Sequence, residues 1–308
     1  MTASTAWQRL RFALIMRLAA SALFARDALG LRFWPNHPDI RCHRAAAALS
    51  SPLCRRLLLP AGRRQIEAQL TLPVTPPDQP PRALVLLCHG IGERLNFWTQ
   101  VQLQLADAAI GSLVFHYSSY GESRGPATTE AFESDARTAY AFLASLSPNT
   151  PLFLFGTSLG SAVAAHVAAY VDPEPAGLIL SQAFPSLRAA TAGVFAQLGI
   201  RHPAPSRLVP DLWRSAEAIR SVRCPILVVH SPDDQLFPAS MGESLYRAAA
   251  QRPSCRQTLL TPPGFAHNDV SLRPRSGYWS PIMDFILAEA AHSTKNKDAP
   301  TLGVIAKL

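Results

Sequence analysis

A serine stands between two glycines in Gly156-Thr157-Ser158-Leu159-Gly160. The apolar run Pro151 to Phe155 leads into it, and Ala162-Val163-Ala164-Ala165-His166-Val167, which reads as a helix, leads out. Strand, Gly-x-Ser-x-Gly and helix in that order hold a hydroxyl on a sharp turn above a sheet, where it can attack a carbonyl carbon. The glycines have a mechanical reason: residues two before and two after the serine approach too closely for a Cβ. The helix that follows points its first N–H groups toward the negative charge that such an attack develops. The pentapeptide alone arises by chance in roughly one chain in ten of this length. Its flanking strand and helix therefore carry the assignment of Ser158 as nucleophile.

A serine hydroxyl needs an imidazole to take its proton and a carboxylate to orient that imidazole. Two later strand ends supply both. Pro225 to His230 reads as a strand and is followed by Ser231-Pro232-Asp233-Asp234. Gln257 to Leu260 reads as another and is followed by Gly264-Phe265-Ala266-His267-Asn268-Asp269. Of the nine histidines, His166 falls within a helix and His116 within a strand, which are structural positions. His37, His43 and His202 have no partner pattern, whereas His267 lies in a glycine-containing loop after the last strand and is the expected base. Asp269 is expected to shape that loop, and the adjacent Asp233 and Asp234 both offer the acid. The oxyanion formed on attack needs two backbone N–H donors, each worth about 100- to 1,000-fold in rate. Leu159, directly after the serine, offers one, and the loop Cys88-His89-Gly90-Ile91-Gly92-Glu93 offers the other, with His89 expected to hold it in shape. This chemistry requires no metal and no organic cofactor.

The elements that must position these groups alternate. Strands are expected at Ile66 to Leu72, Ala83 to Cys88, Leu113 to Tyr117, Leu152 to Phe155, Gly177 to Leu180, Ile226 to Val229 and Gln257 to Leu260. Helices are expected at Phe97 to Ala109, Glu130 to Ser145, Leu159 to Tyr170, Met241 to Ala250 and Pro281 to Ala291. Short apolar runs alternating with helices imply an α/β fold with a mainly parallel sheet and helices on both faces. Residues 63–292 form this domain, between a leader at 1–62 and a polar tail at 293–308. Ser186 to Val222 interrupts the rhythm after the nucleophile, where a small lid would overhang the site, and Phe195 and Trp213 within it are expected to line an acyl pocket.

Hydrophobic residues make up 48% of the 308, enough for a large core, and charged residues only 16%. Five cysteines, odd in number and without paired spacing, argue against a disulfide framework or a zinc cluster. The formal charge of +8 suggests nucleic acid, but its distribution argues against that partner. Residues 1–64 hold eleven arginines against Asp27 and Asp39, a net +9, while the rest holds 18 basic and 19 acidic side chains. A basic leader containing Trp7, Phe12, Leu14, Ile15 and Met16 is suited to an anionic membrane surface. Packing of the leader against the body, or a signal peptide cleaved near Ala20-Ser21-Ala22, are the competing readings. The expected location is accordingly cytoplasmic or membrane-associated.

From about residue 63 to 292 the chain resembles the α/β-hydrolase superfamily. Within it, the chain is most similar to membrane-anchored serine hydrolases of the lysophospholipase and acyl-protein-thioesterase kind, the serine-aminopeptidase-like group. The resemblance rests on Tyr120-Gly121-Glu122-Ser123-Arg124-Gly125, Phe155 to Gly160, Ser231 to Pro238 and His267-Asn268-Asp269. It implies the chain order Ser, Asp, His, and counting from Ser231 selects Asp234 as the acid. It also selects Ile91, the residue after His-Gly, as the second oxyanion donor. Two departures flank the site: Ile91-Gly92-Glu93 is closer to monoacylglycerol lipases, and His116-Tyr117-Ser118-Ser119 replaces an Asp-Tyr-Arg-Gly element. The expected activity is hydrolysis of carboxylic esters with an apolar acyl group. Thioesters and N-terminal peptide bonds are the alternatives within the class, and a non-catalytic membrane- or protein-binding module is the alternative outside it.

Overall fold

The computed structural model describes residues 53–74, 76, 79–197, 211–252 and 256–298. Eight strands form one sheet: β1 (Cys54–Ala61), β2 (Arg64–Thr71), β3 (Ala83–Cys88), β4 (Ile110–Phe115), β5 (Leu152–Thr157), β6 (Gly177–Ser181), β7 (Ile226–Val229) and β8 (Gln257–Leu260). Their spatial order is β1-β2-β4-β3-β5-β6-β7-β8. The β1–β2 and β2–β4 pairs are antiparallel and all the others parallel. Among the described residues, the helices longer than one turn are α1 (Thr99–Asp107), α2 (Thr129–Leu146), α3 (Leu159–Val167), α4 (Leu187–Gln197), α5 (Ala239–Ala249) and α6 (Ser276–Asp298).

The alternation along β3 shows why the sheet is covered on both faces. All six of its residues are buried; Leu84, Leu86 and Cys88 belong to one core with residues of α2, α3 and α5, while Ala83, Val85 and Leu87 belong to a second core with residues of α1 and α6. Successive side chains of a strand point to opposite faces, so an unbroken apolar run requires two cores. Each fully buried Leu or Val contributes about 1.5–3 kcal/mol. The start of α2 is capped by Thr128, whose hydroxyl accepts from the Ala131 N–H at 3.1 Å.

The expected α/β architecture is the observed one, with local differences. Cys54–Ala61, counted with the leader for its charge, is the edge strand β1, joined to β2 by the two-residue turn Gly62-Arg63. Residues 1–52 and the tail from 299 onward lie outside the described residues, and so do the membrane, packing and signal readings of the leader. Among the described residues, no helix is long and apolar enough to cross a membrane. β4 ends at Phe115, so His116 follows the strand rather than lying within it. The inserted segment opens with α4, a helix not expected from the sequence, and its residues 198–210 lie outside the described set.

Candidate active site

The residues singled out for chemistry meet at the C-terminal edge of the parallel strands, where the loops of an open α/β sheet gather. Ser158 follows β5 directly, with φ 51° and ψ −120°. Positive φ on a non-glycine residue costs on the order of 1–3 kcal/mol and persists only where the surroundings impose it. Here they do. A Cβ on Gly156 would run into the Gly160 carbonyl, and one on Gly160 into the Cys88 carbonyl, so neighbouring backbone crosses the turn on both sides. The Ser158 N–H donates to the Ser181 carbonyl at the end of β6, at 3.1 Å.

His267 stands within hydrogen-bond distance of both other groups. Its Nε2 lies 3.0 Å from Ser158 Oγ and its Nδ1 lies 2.7 Å from Asp234 Oδ2. With Nδ1–H donating to the carboxylate, Nε2 is left to accept the serine proton. All three residues are buried. The other oxygen of Asp234, Oδ1, accepts from the N–H groups of Leu236 (2.7 Å) and Phe237 (2.9 Å), so the carboxylate cannot rotate freely. Burial pushes the Asp234 carboxyl up, but His267 and the Phe237 N–H outweigh it and hold the group below the usual aspartate value. The Phe237 ring meets His267 edge-on, with centroids 4.9 Å apart.

The two aspartates divide the work. Asp234 faces His267, while exposed Asp233 accepts from the Gly264 N–H at 2.5 Å and pins the start of the His267 loop. Asp269 shapes the same loop, accepting from the Ala266 N–H at 2.9 Å. Arg275 donates to the Gly264 carbonyl and lies over the Phe265 ring, 4.1 Å from its centroid.

Across the site, the loop after β3 carries Ile91. The Gly90 N–H is taken by Glu93 Oε2 (2.8 Å) and the Ser161 N–H by the Ser158 carbonyl (3.0 Å). The expected oxyanion donors, the Ile91 and Leu159 N–H groups, belong to this loop and to the first residue of α3. His89 sits in the loop as a structural residue: its Nδ1 donates to the Gly90 carbonyl (2.7 Å), and its Nε2 accepts from His116 Nδ1 (3.2 Å). The Tyr117 hydroxyl donates to the His89 carbonyl at 3.0 Å. The Tyr120 to Gly125 motif serves the same frame, since Ser123 Oγ donates to the His116 carbonyl (2.8 Å) and accepts from the Glu67 N–H (2.8 Å).

Both histidines of this pair are held neutral. Burial and then the neighbouring His116 lower His89 to about 4, while burial, Arg56 and Arg94 lower His116 to about 4. An unfolded histidine titrates near 6.5, so in acid the unfolded chain takes up protons that the folded chain refuses. This contribution to stability is complete above about pH 6.5 and falls away as pH drops toward 4. It is on the order of 3 kcal/mol for His89 alone. Urea midpoints measured at pH 7.5 and pH 5 should show the loss, with a shallower dependence in His116→Gln; equal slopes for the two proteins would contradict it.

The two lid residues lie in different settings. Trp213 is buried, its ring stacks on Phe132 of α2 with centroids 6.1 Å apart, and its Nε1 donates to Glu133 at 3.3 Å. Phe195, on α4, is partly exposed. Around Gly193 the same helix packs on the segment that follows Asp234: a Cβ there would lie 3.0 Å from the Leu236 carbonyl and 3.3 Å from the Phe237 ring. The sequence reading did not single out three buried groups near the site: Glu93, His230 and Asp135. His230 Nε2 lies 3.6 Å from Asp234 Oδ2 and donates to the Phe237 carbonyl at 3.1 Å. Asp135 accepts from the Ser118 N–H at 2.7 Å and pairs with Arg64 at 3.0 Å.

Known proteins resemble this chain in sequence and in fold. A family model described as serine aminopeptidase, S33, matches residues 79–216. An uncharacterised protein of Mycobacterium tuberculosis is 33% identical over 190 residues, covering 61% of this chain and 64% of that protein. The lysophosphatidylserine lipase ABHD12 of Macaca fascicularis is 27% identical over 220 residues, covering 67% of this chain and 55% of its own length. The chain thus spans between about half and two thirds of the length of these curated relatives. Among solved structures, an alpha-beta hydrolase from Vibrio vulnificus superposes with a TM-score of 0.64 at 20% identity, covering 82% of this chain and 87% of that one. A monoglyceride lipase from Saccharomyces cerevisiae, solved with a substrate analog, gives 0.59 at 17% identity, covering 80% and 97%. At these identities the structural matches establish the fold.

Proposed function

The chain has the α/β-hydrolase fold, and from that premise we propose that it hydrolyses carboxylic esters with an apolar acyl group through an acyl-enzyme on Ser158. The observation that carries this reading is the chain of hydrogen bonds from Ser158 Oγ through His267 (3.0 Å) to Asp234 (2.7 Å), beside a serine with positive φ. Ser158 attacks the carbonyl carbon as His267 Nε2 takes its proton. Asp234 holds the imidazole and stabilises its charged form. The N–H groups of Leu159 and Ile91 bind the oxyanion. The imidazolium then protonates the leaving alcohol, and a water activated by the same histidine releases the acid.

The apolar acyl preference is supported by Phe237 against His267, by Phe184 beside Phe237 (5.5 Å between centroids), and by partly exposed Phe195 on the overlying helix. Relatives named as lysophosphatidylserine and monoglyceride lipases fit an acyl ester of lipid type. The net +9 of residues 1–64 supports presentation of the substrate at an anionic surface.

One substrate series tests these readings together. Esters of increasing acyl length, alongside a thioester and an aminoacyl amide, should favour the longer esters by up to about fourfold in kcat/KM per added methylene, since each buried CH₂ contributes about 0.8 kcal/mol. Phe195→Ala and Trp213→Ala should move the optimum length while acetyl esters react within about twofold. Equal losses at every length would instead make the inserted segment a seal over the body. Faster turnover of the thioester or the amide would replace the ester assignment. The same lipid esters presented in anionic vesicles should be cleaved faster than in neutral ones, with the advantage reduced by salt; equal rates would remove the membrane role.

A further inference from the structure

We propose that Glu93 is a positioning residue, which fixes the oxyanion loop over Ser158 and couples it to the loop that carries His267. The inference rests on the serine-hydrolase reading above. Glu93 is 7% exposed, and its two carboxylate oxygens face different parts of the site. Oε2 accepts from the Gly90 N–H (2.8 Å) and from Trp98 Nε1–H (3.0 Å). Oε1 accepts from Ser271 Oγ (2.6 Å), four residues beyond His267 on the one-turn helix Asp269–Leu272. Trp98 is fully buried and anchors this arrangement in the body of the protein.

The reason such an anchor is needed lies in Gly90. Glycine admits many backbone conformations, and both peptide planes beside it belong to the oxyanion loop. The plane between Gly90 and Ile91 carries the Gly90 carbonyl on one side and the Ile91 N–H on the other, because the peptide is trans. His89 Nδ1 holds that carbonyl at 2.7 Å, which aims the Ile91 N–H the opposite way. The plane between His89 and Gly90 carries the Gly90 N–H, and the Glu93 carboxylate holds it. Glu93 and His89 thus lock the two planes from opposite ends. The space is tight as well: a Cβ on Gly90 would lie 3.4 Å from Glu93 Cδ and 3.5 Å from Ser158 Cβ. The three residues converge where the oxyanion would form.

A buried carboxylate beside a developing oxyanion is electrostatically unfavourable, so the value of Glu93 is geometric. That distinction makes the inference testable by isosteric replacement. In Glu93→Gln the amide oxygen can accept from Gly90 and Trp98 while the NH₂ donates to Ser271 Oγ, which has lone pairs free. In Glu93→Ala three buried donors lose their acceptor at once.

The experiment uses the full chain and measures kcat and KM on an activated ester. It also measures affinity for a trifluoromethyl ketone, whose serine adduct places an oxyanion between the two N–H groups. Glu93→Ala should lose about 10- to 100-fold in kcat, part of the effect of a missing oxyanion donor. Its KM should stay within about threefold, and ketone affinity should fall in parallel with kcat. Glu93→Gln should keep at least about a third of kcat, and Ser271→Ala, which leaves the Gly90 bond, should lose less than Glu93→Ala. The inference is overturned if Glu93→Ala keeps kcat within twofold, or if kcat falls while ketone affinity does not. Should the alanine variant fail to fold, a Glu93→Gln enzyme with less than about a tenth of wild-type kcat overturns it. Ser158→Ala is the control: if that variant is inactive while Glu93→Ala is unimpaired, only the role of Glu93 is lost. If Ser158→Ala turns over like the wild type, the hydrolase reading fails and this inference with it.

Discussion

Ser158→Ala is expected to lower ester turnover by roughly 10⁴- to 10⁶-fold, the range seen when a triad loses its nucleophile. Without Oγ no acyl-enzyme forms, and what remains is water attack assisted by the oxyanion donors and substrate binding. The fold should be unaffected. The hydroxyl makes its hydrogen bond to His267, while the backbone of the turn is held by the Ser158 N–H to Ser181 and by the crossing at Gly156 and Gly160. Alanine also tolerates this turn no worse than serine, since the strain belongs to any Cβ at φ 51°. Circular dichroism and thermal unfolding close to wild type, with turnover reduced by at least about 10⁴-fold, is the expected pair of results. An active Ser158→Ala enzyme would move the chemistry elsewhere.

The second large effect separates the adjacent aspartates. Asp234→Asn should cost about 10⁴-fold in kcat, because an amide facing Nδ1 favours the wrong imidazole tautomer and cannot stabilise the imidazolium. Asp233→Asn should stay within about threefold, since the amide oxygen can still accept from the Gly264 N–H and the side chain is exposed. Steady-state kinetics on one ester, run side by side on the two variants, reads the difference. A reversed order would make Asp233 the acid and would require the loop to rearrange on substrate binding.

The central sheet could be read from the sequence because its signal is local. Ala83 to Cys88 and Ile226 to Val229 are unbroken apolar runs, and the strands lie at those residues. β1 was missed for a physical reason: as an edge strand it has only Leu59 fully buried, so Arg55, Arg56 and Leu58 can face outward and no alternation appears. The signal that could have found it was the turn. Gly62-Arg63 lies between two stretches of strand-forming residues, and Gly62 takes the positive φ (63°) that a two-residue hairpin asks of its first central position. α4 was missed because its apolar residues are small and scattered, and its partner surface is the Leu236-Phe237 segment, far away in sequence.

At the site, the residues that motifs mark could be named in advance, and the residues that only support them could not. Ser158, Asp234 and His267 sit at strand ends, where chain order and spacing speak for them. Glu93 and Asp135 look like ordinary surface acids until the Gly90 and Ser118 N–H groups are seen pointing at them. Such partners are set by tertiary contact, as is the second histidine near Asp234. The distinction between Asp233 and Asp234 is of the same kind: one residue of chain separates an exposed loop tie from a buried carboxylate.

The most direct test of the account is covalent. The full chain is treated with a fluorophosphonate, its intact mass is recorded, and the modified peptide is sequenced by tandem mass spectrometry. One phosphonyl group per chain, located on Ser158, absent from Ser158→Ala and forming in step with the loss of ester hydrolysis, is the predicted result. A label on any other residue that abolishes activity, or an unlabelled protein that turns over esters in the presence of the probe, would contradict it.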